Sequence, residues 1–268
     1  MQKIWGIRER KMTKRKQNDI SKYFVSKEKI AYTTPDDQKC NKASLKSEDA
    51  DWKNQWVDIN GPQFNISTLI LYKTLEEKNN IFEELEKQIA YLSDPQLTKI
   101  KVFGRWHDIP RKQAAYGNDG VTYTYSGIKI QCLPWSKAPV LERILEDVKT
   151  VSRVNYNFVL VNRYQDGRDK MGEHKDDEKE LDPNAPIASL SFGEERDFIF
   201  KHQDLVRKTN KSEKYSNDEK LLHKIVLKNG MLLLMKAPTN QYWYHSLPAR
   251  STKSCSNTRI NLTFRKIL

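Results

Sequence analysis

The stretch Asn162-Arg-Tyr-Gln-Asp-Gly-Arg-Asp-Lys-Met-Gly-Glu-His-Lys-Asp-Asp-Glu178 follows an apolar, strand-like run that begins at Asn157. The dipeptide Asp166-Gly167 within it predicts a turn. After the turn comes His174-Lys-Asp176, and in an extended backbone two residues that are two positions apart point to the same side. The imidazole of His174 and the carboxylate of Asp176 can therefore face one metal ion.

A second imidazole is available far downstream. His245 lies in the segment Trp243-Tyr-His-Ser246. Two histidines and one carboxylate, with coordination positions left open, form the facial triad that is typical of non-haem Fe(II) oxygenases. A His-x-Asp motif is also common as a surface hydrogen-bonding pair, so the motif alone leaves both interpretations open.

The C-terminal run Arg259-Ile-Asn-Leu-Thr-Phe-Arg265 alternates polar and apolar residues. This alternation predicts a β-strand with one apolar and one polar face, the latter made of Arg259, Asn261, Thr263 and Arg265. Two arginines on one face of a half-buried strand are costly unless they meet an anion. Because arginine binds carboxylates through two parallel hydrogen bonds, a dicarboxylate is a natural partner. The alternative is an exposed face with salt-bridged arginines.

Taken together, these residues resemble the AlkB family of Fe(II)- and 2-oxoglutarate-dependent dealkylases. The resemblance spans roughly residues 65 to 268 and is most specific to the branch of the family that repairs alkylated double-stranded DNA. The stretches that carry it, beside the triad and the C-terminal run, are Asn162-x-Tyr164, Val102-Phe-Gly104, Pro110-Arg-Lys-Gln113, Tyr123-Thr-Tyr-Ser-Gly127, Pro186-Ile-Ala-Ser189 and Asn261-Leu-Thr-Phe-Arg-Lys-Ile-Leu268.

The resemblance implies a mainly β fold with flanking helices. Its expected core is a double-stranded β-helix, jelly-roll or cupin-like, with two N-terminal buttressing helices and a DNA-probing hairpin. Many short strands without βαβ alternation agree with this fold class. From the sequence we expect a strand at 66–73, helices over Leu75–Leu92 and Val140–Val151, a long loop at 202–220 and a hairpin over Leu221–Leu234 that turns at Asn229-Gly230.

The resemblance also implies the cofactors. Fe(II) is expected on His174, Asp176 and His245. The co-substrate 2-oxoglutarate would pair its distal carboxylate with Arg259, and the rest of its pocket would be formed by Asn162, Tyr164, Asn261 and Arg265. O2 is the oxidant and ascorbate the reductant. The implied reaction removes N-alkyl groups from DNA bases, mainly 1-methyladenine and 3-methylcytosine, with etheno adducts as a further class, and releases formaldehyde and succinate.

Several residues are expected to contact the DNA. Val102, Phe103 and Gly104 resemble the tip of a hairpin that wedges into a duplex, which lowers the cost of flipping a base. Tyr123 and Tyr125, with the carboxylates of Asp177 and Glu178, would favour a cationic methylated base. Arg111 and Gln113 are expected nearby, Arg111 as a phosphate contact. Without the resemblance, Phe103 would be an ordinary core aromatic and the acidic pair a solvated turn.

Residues 1–60 form a polar tail that we expect to be disordered, ahead of one catalytic domain at 61–268. The chain carries a net charge of +12, and residues 1–30 hold ten Lys/Arg against three Asp/Glu, so this segment contributes +7 and the rest +5. Such a basic arm attracts nucleic acid. We expect the protein to be located in the nucleus and to bind double-stranded DNA. We expect no membrane partner, and we expect a monomer. Three widely spaced cysteines indicate a reducing compartment.

Within the tail, residues 17–24 resemble a PCNA-interacting peptide, the motif that binds a sliding clamp. One helical turn would place Ile20, Tyr23 and Phe24 on a single face, while Gln17 would bind a separate pocket. A chance apolar trio is the alternative, although aromatic side chains in a basic arm have no core to join.

Two other functions remain open on sequence grounds. The same chemistry could act on single-stranded DNA or RNA. In the segment 249–258 the resemblance leads us to expect a basic triplet, which is reduced here to Lys253 within Ser251-Thr-Lys-Ser-Cys-Ser256. Alternatively, the protein could be a non-catalytic, clamp-tethered binder of damaged DNA.

Overall fold

A computed structural model of the chain describes residues 55–94, 97–102, 105–125, 128–210 and 221–268. The predicted tail and its clamp motif at 17–24 lie outside these residues. The first described strand begins at Val57, ahead of the predicted domain boundary at residue 61. No helix among the described residues is long and apolar enough to cross a membrane.

The described residues contain sixteen strands and four α-helices. The strands are β1 (Val57–Gly61), β2 (Phe64–Ile70), β3 (Lys99–Val102), β4 (Arg105–Asp108), β5 (Lys112–Gly117), β6 (Thr122–Tyr125), β7 (Ile128–Gln131), β8 (Leu133–Pro134), β9 (Phe158–Tyr164), β10 (Met171–His174), β11 (Ile187–Gly193), β12 (Arg196–His202), β13 (Leu222–Leu227), β14 (Met231–Met235), β15 (Trp243–Leu247) and β16 (Arg259–Arg265). The helices are α1 (Leu75–Gln88), α2 (Pro139–Ser152), α3 (Gln203–Asn210) and α4 (Thr239–Tyr242).

Two sheets form the core. The large sheet has eight strands in the order β1-β2-β14-β11-β16-β9-β5-β8, and the small sheet has four in the order β10-β15-β12-β13. From β9 onward the chain passes repeatedly between the two sheets. The last eight strands therefore form two four-stranded layers, β14-β11-β16-β9 and β10-β15-β12-β13, with the connectivity of a double-stranded β-helix. The predicted fold class is confirmed.

The two faces of the large sheet bury different clusters, as the two-residue period of a strand requires. On the outer face, Leu190 and Leu262 pack with Leu85 of α1 and Ile144 of α2. On the inner face, side chains of the large sheet meet aromatic residues of the small sheet, such as Phe200. The helices thus cover one side of the large sheet and leave the other for the space between the sheets, where the polar side chains of β16 lie.

Helix α1 ends at Gln88, four residues before the predicted Leu92. Its first turn is capped by the hydroxyl of Thr74, which accepts a hydrogen bond from the N–H of Glu77 at 3.2 Å. At the other end Ile89 has extended dihedrals, and the N–H of Ala90 donates to the hydroxyl of Tyr116 at 2.9 Å. A contact distant in sequence therefore ends the helix although its apolar periodicity continues. Helix α2 begins at Pro139 as predicted.

The predicted hairpin over Leu221–Leu234 is wrong. Both strands exist, but β13 pairs with β12 in the small sheet, whereas β14 pairs with β11 and β2 in the large sheet. The turn at Asn229-Gly230 therefore connects the two sheets. Gly230 has a positive φ of 78°, donates to the carbonyl of Ser191 and accepts from the N–H groups of Leu71 and Tyr72. These partners hold the turn against the large sheet. The loop expected at 202–220 begins with helix α3.

Two short hairpins stand outside the main sheets. β3 pairs with β4, and β6 pairs with β7. All four residues of β4 are exposed. Phe103 and Gly104, the predicted tip of the first hairpin, lie outside the described residues.

Gly193 should be far less tolerant of alanine than Gly120. Both have φ near +80°, a conformation that costs an alanine roughly 1–2 kcal/mol. A Cβ on Gly193 would also clash with the carbonyl oxygen of Thr258 and lie 2.8 Å from Cε2 of Phe82, whereas a Cβ on Gly120 meets nothing within 4 Å. We expect Gly193→Ala to lower the free energy of unfolding by about 1–3 kcal/mol more than Gly120→Ala. Urea denaturation of both variants measures the difference, and equal losses would contradict this packing.

Candidate active site

Strand pairing brings the two predicted histidines together. His174 of β10 lies directly opposite His245 of β15, and their ring centroids are 4.2 Å apart. The register shifts between Met171 and His174, a local irregularity of the kind found beside active sites. Asp176 follows just beyond β10 and is buried. Its Oδ1 is 3.6 Å from Nε2 of His174 and 3.9 Å from Nε2 of His245.

The geometry of this triad suits a metal ion. One ligand atom from each of the three residues lies within 4.8 Å of the others. The Nδ1–H of His174 donates to the carbonyl of Gly172 at 2.9 Å, which leaves the lone pair of Nε2 facing Asp176. Two imidazole nitrogens and one carboxylate oxygen can hold one face of an Fe(II) ion and leave positions open.

The protonation states also suit a metal. Burial acts to raise the pKa of Asp176, but the guanidinium of Arg265 and the two imidazoles outweigh burial and hold that pKa well below its ordinary range. The Nη2 of Arg265 is 3.0 Å from Oδ2 of Asp176. Burial lowers the pKa of His245 to about 3, with a smaller contribution from the neighbouring His174. A charged carboxylate and a neutral imidazole are the forms that bind metal.

The polar face of β16 lines the same cavity as the triad. Arg259, Asn261, Thr263 and Arg265 all border it. Arg259 and Arg265 are 2% and 4% exposed, which excludes the alternative of a solvent-exposed arginine face. Burial lowers the pKa of Arg259 to about 10, so the side chain remains charged at neutral pH.

Arg259 is a buried cation whose hydrogen bonds go to neutral groups. Its Nη2 donates to the hydroxyl of Ser191 at 2.9 Å and to Oδ1 of Asn261 at 2.6 Å. Its Nε, and the Nε and Nη1 of Arg265, are buried without a hydrogen-bond partner among the described residues. Unpaired guanidinium N–H groups in a cavity that also holds a metal triad fit a dicarboxylate. The residues present therefore fit both Fe(II) and 2-oxoglutarate.

Two further predicted residues of the co-substrate pocket also line this cavity, Asn162 and Tyr164. The ring of Tyr164 lies 5.2 Å from the guanidinium carbon of Arg259, a cation–π contact. Asn162 lies opposite Asn261 in the pairing of β9 with β16.

Arg111 and Gln113 were predicted to contact DNA, but their side chains are bonded inside the protein. The Nε of Arg111 donates to Oδ1 of Asn162 at 2.8 Å, and Nε2 of Gln113 donates to the same oxygen at 3.0 Å. Gln113 is buried, and it pairs with Asn162 across β5 and β9. Both residues orient Asn162 at the wall of the co-substrate pocket. Their contact with DNA stays a prediction.

Arg265, which is paired with Asp176 of the triad, also lies beside the predicted base-binding residue Tyr123. The hydroxyl of Tyr123 donates to Oε1 of Glu178 at 2.5 Å, and the guanidinium carbon of Arg265 lies 5.3 Å from the Tyr123 ring. Asp176, Asp177 and Glu178 border a second cavity beside the first. Asp177 is exposed. Tyr125 ends β6, and Val102 ends β3.

Sequence analysis missed two residues that support the triad. Arg196, at the start of β12, is buried and its Nη2 donates at 2.8 Å to the carbonyls of both Asp169 and Pro248. It thereby ties the segment before β10 to the segment after β15. The side-chain oxygen of Asn240 accepts a hydrogen bond from the main-chain N–H of Asp176. Neither is marked by a motif: Arg196 follows Glu194-Glu195, which suggests a surface cluster, and Asn240 lies in a polar turn.

Comparison with known proteins gives several matches. The family described as the 2OG-Fe(II) oxygenase superfamily matches residues 67–265. The human protein named DNA oxidative demethylase ALKBH2 is 47% identical over 213 residues, which cover 80% of this chain and 77% of that protein. The protein of that name from Mus musculus is 50% identical over 192 residues, which cover 72% and 76%. Alpha-ketoglutarate-dependent dioxygenase alkB homolog 3 of Bos taurus is 32% identical over 194 residues, which cover 72% and 63%.

The buried neutral state of His245 should make the metal-free protein less stable as pH falls. The folded pKa is about 3 and the ordinary value is 6.5, so between these values the unfolded chain binds the extra proton. The free energy of unfolding therefore decreases as pH falls below about 6.5, by at most roughly 1.4 kcal/mol per pH unit. His245→Gln cannot gain this proton, so its stability should vary less with pH.

Chemical denaturation of both proteins with a chelator present, at several values between about pH 7 and pH 5, measures this difference. The histidines that do not contact His245 are common to both proteins and cancel in the comparison. The same pH dependence in wild type and variant would contradict a buried, neutral His245.

Proposed function

Because this chain belongs to the 2OG-Fe(II) oxygenase superfamily, and within it to the AlkB-type DNA oxidative demethylases, as its motifs predicted, we propose that it removes N-alkyl groups from bases of double-stranded DNA. Membership makes the protein a dioxygenase that uses Fe(II), 2-oxoglutarate and O2, which removes the non-catalytic alternative. The proposal concerns the substrate: 1-methyladenine and 3-methylcytosine first, and etheno adducts as a further class.

The observation that carries the choice of substrate is the Tyr123–Glu178 pair beside the metal ligand Asp176. Bases methylated at adenine N1 or cytosine N3 are cations at neutral pH. Burial raises the pKa of Glu178 despite the neighbouring Arg265. A cationic base in the adjoining cavity would favour the ionised carboxylate, and an aromatic ring favours a cation as well. The pocket thus selects the alkylated base over its neutral parent.

Held by His174, Asp176 and His245, the metal would supply, together with 2-oxoglutarate and O2, the oxidant for hydroxylation of the alkyl carbon, after which a methyl group would leave as formaldehyde. The residues of the chain bind and orient the metal and the co-substrate. Arg259 offers its guanidinium to the distal carboxylate of the co-substrate. Arg265 keeps Asp176 charged and in place at 3.0 Å. Aromatic and aliphatic side chains, Phe198 and Leu233 among them, border the cavity and limit access of water.

Access to a base in a duplex requires that the base be flipped out, at a cost of a few kcal/mol. We assign this task to the exposed β3–β4 hairpin, with Phe103 as the wedge and Val102 and Gly104 beside it. The proposal rests on their resemblance to the family hairpin and on the exposure of β4. Tyr125 and Asp177 are proposed as further contacts to the lesion or its neighbours.

Turnover on matched substrates tests this function. Formaldehyde release is measured from one oligonucleotide carrying 1-methyladenine, as a single strand and as a duplex, with Fe(II), 2-oxoglutarate and ascorbate. We expect Phe103→Ala to lower duplex turnover by about tenfold or more, since the wedge offsets part of the flipping cost. Single-strand turnover should remain near the wild-type value, because no base has to leave a duplex.

His174→Ala, which removes a metal ligand, is the control and should release no formaldehyde from either substrate. Equal wild-type activity on both substrates, together with no effect of Phe103→Ala, would favour the alternative of single-stranded DNA or RNA.

We propose as well that the basic tail brings the enzyme to a PCNA-like sliding clamp in the nucleus, and that the catalytic unit acts as a monomer. The support is in the sequence: the pattern Gln17, Ile20, Tyr23 and Phe24 follows a basic cluster at 8–16. A clamp would place the enzyme on duplex DNA and raise its effective concentration there.

Capture of the full-length protein on immobilised clamp tests the tail. The double variant Tyr23→Ala/Phe24→Ala should lose binding, because both aromatic side chains would enter the clamp pocket. Val25→Ala, adjacent but outside the motif, should bind like the wild type. Turnover on a short oligonucleotide should not change in either variant. Undiminished capture of the double variant would contradict the clamp proposal.

A further inference from the structure

Asn240 forms a reciprocal pair of hydrogen bonds with the main chain of the metal ligand Asp176. The N–H of Asp176 donates to Oδ1 of Asn240 at 3.0 Å, and Nδ2 of Asn240 donates to the carbonyl oxygen of Asp176. The two residues are 64 positions apart in the sequence. We propose that Asn240 is a positioning residue that fixes the backbone of Asp176 and thereby sets the affinity of the triad for its metal.

The need for such a support follows from the place of Asp176 in the fold. His174 and His245 each lie in a strand and are held by the pairing of β10 with β15. Asp176 lies beyond the end of β10, in a segment without strand pairing. The ion pair with Arg265 orients one carboxylate oxygen but leaves the backbone of Asp176 free to rotate. The amide of Asn240 supplies the two main-chain hydrogen bonds that a strand partner would otherwise provide.

The support is itself anchored in the large sheet. Asn240 belongs to the short helix α4, and the preceding residue, Thr239, is fully buried. The hydroxyl of Thr239 accepts from the N–H of Asn65 at 2.7 Å and donates to the carbonyl of Asn65 at 3.1 Å. The N–H of Lys236 also donates to that carbonyl, at 3.0 Å. A chain of side-chain-to-backbone pairs therefore links β2 to the metal ligand.

On the other side of the turn, the ammonium group of Lys175 donates to the carbonyl of Gln241 at 2.5 Å. Lys175 and Asp176, just after β10, are thus joined to two consecutive residues of α4, Gln241 and Asn240. Metal–ligand distances tolerate deviations of only about 0.2 Å, so a shift of the Asp176 backbone would weaken the site. Outer partners of this kind typically change metal affinity by about 10- to 100-fold when removed.

The test is anaerobic titration of Fe(II) into the full-length protein by calorimetry, which needs no DNA. The inference rests on the iron site of the family and holds whatever the nucleic-acid substrate is. We expect Asn240→Ala to weaken Fe(II) binding by about 10- to 100-fold. Asn240→Asp keeps the acceptor for the N–H of Asp176 and loses the donor. Its added negative charge would by itself strengthen Fe(II) binding, so a weaker affinity in this variant must come from altered geometry.

Asn157→Ala is the matched control, since Asn157 makes the same kind of reciprocal pair, at 2.8 Å in both directions, with the main chain of Ile267. It should lower the melting temperature about as much as Asn240→Ala and leave the Fe(II) affinity at the wild-type value. An equal loss of Fe(II) affinity in both variants would mean that Asn240 only stabilises the fold. Wild-type iron affinity in Asn240→Ala, with a raised KM for alkylated DNA, would make it a substrate contact instead. Either result overturns the proposal.

Discussion

Buried positive charge is the constraint on which this structure depends. Among the residues that the structure describes, the buried charged side chains are Asp176, Arg196, Arg259 and Arg265. Three cations against one carboxylate would be strongly unfavourable in a dry interior. Arg265 is paired with Asp176, and Arg196 donates to backbone carbonyls away from the cavity. Arg259, which borders the cavity of the metal triad, donates only to the neutral side chains of Ser191 and Asn261. An anion from outside would therefore complete this cavity, and a dianionic co-substrate would meet that requirement, since Arg259 and the metal-binding triad border the same space.

The fold explains how these charges come to share one cavity. Successive strands from β9 onward pass between the large and the small sheet, so the polar side chains of β16 face the histidines of β10 and β15. The remaining space between the sheets is filled by aromatic residues such as Phe64, Phe200 and Trp243, which pack edge-on or tilted. The polar cavity is thus enclosed by an apolar wall, where electrostatic interactions are stronger than in water.

Much of the site could be predicted from the sequence because its signals are local or sharply periodic. His174 ends β10, and Asp176 follows two residues later. From Arg259 to Arg265, polar and apolar residues alternate along one strand. What the sequence could not provide is the choice of partner between distant segments. Asn229-Gly230 is typical of a hairpin, yet its two strands join different sheets. Helix α1 ends early because a main-chain N–H meets Tyr116, and Arg196 and Asn240 act only through backbone groups far along the chain.

The most direct measurement of the central claim compares 2-oxoglutarate with pyruvate, which has the same 2-oxo acid group but no distal carboxylate. Each is titrated anaerobically into the Fe(II)-loaded protein, and the metal-to-ligand charge-transfer absorption gives the dissociation constant. We expect the wild type to bind 2-oxoglutarate more tightly than pyruvate. In Arg259→Leu this difference in binding free energy should shrink by about 2–4 kcal/mol, while the affinity for pyruvate stays at the wild-type value. An unchanged preference in Arg259→Leu would contradict the role of this buried arginine and the account built on it.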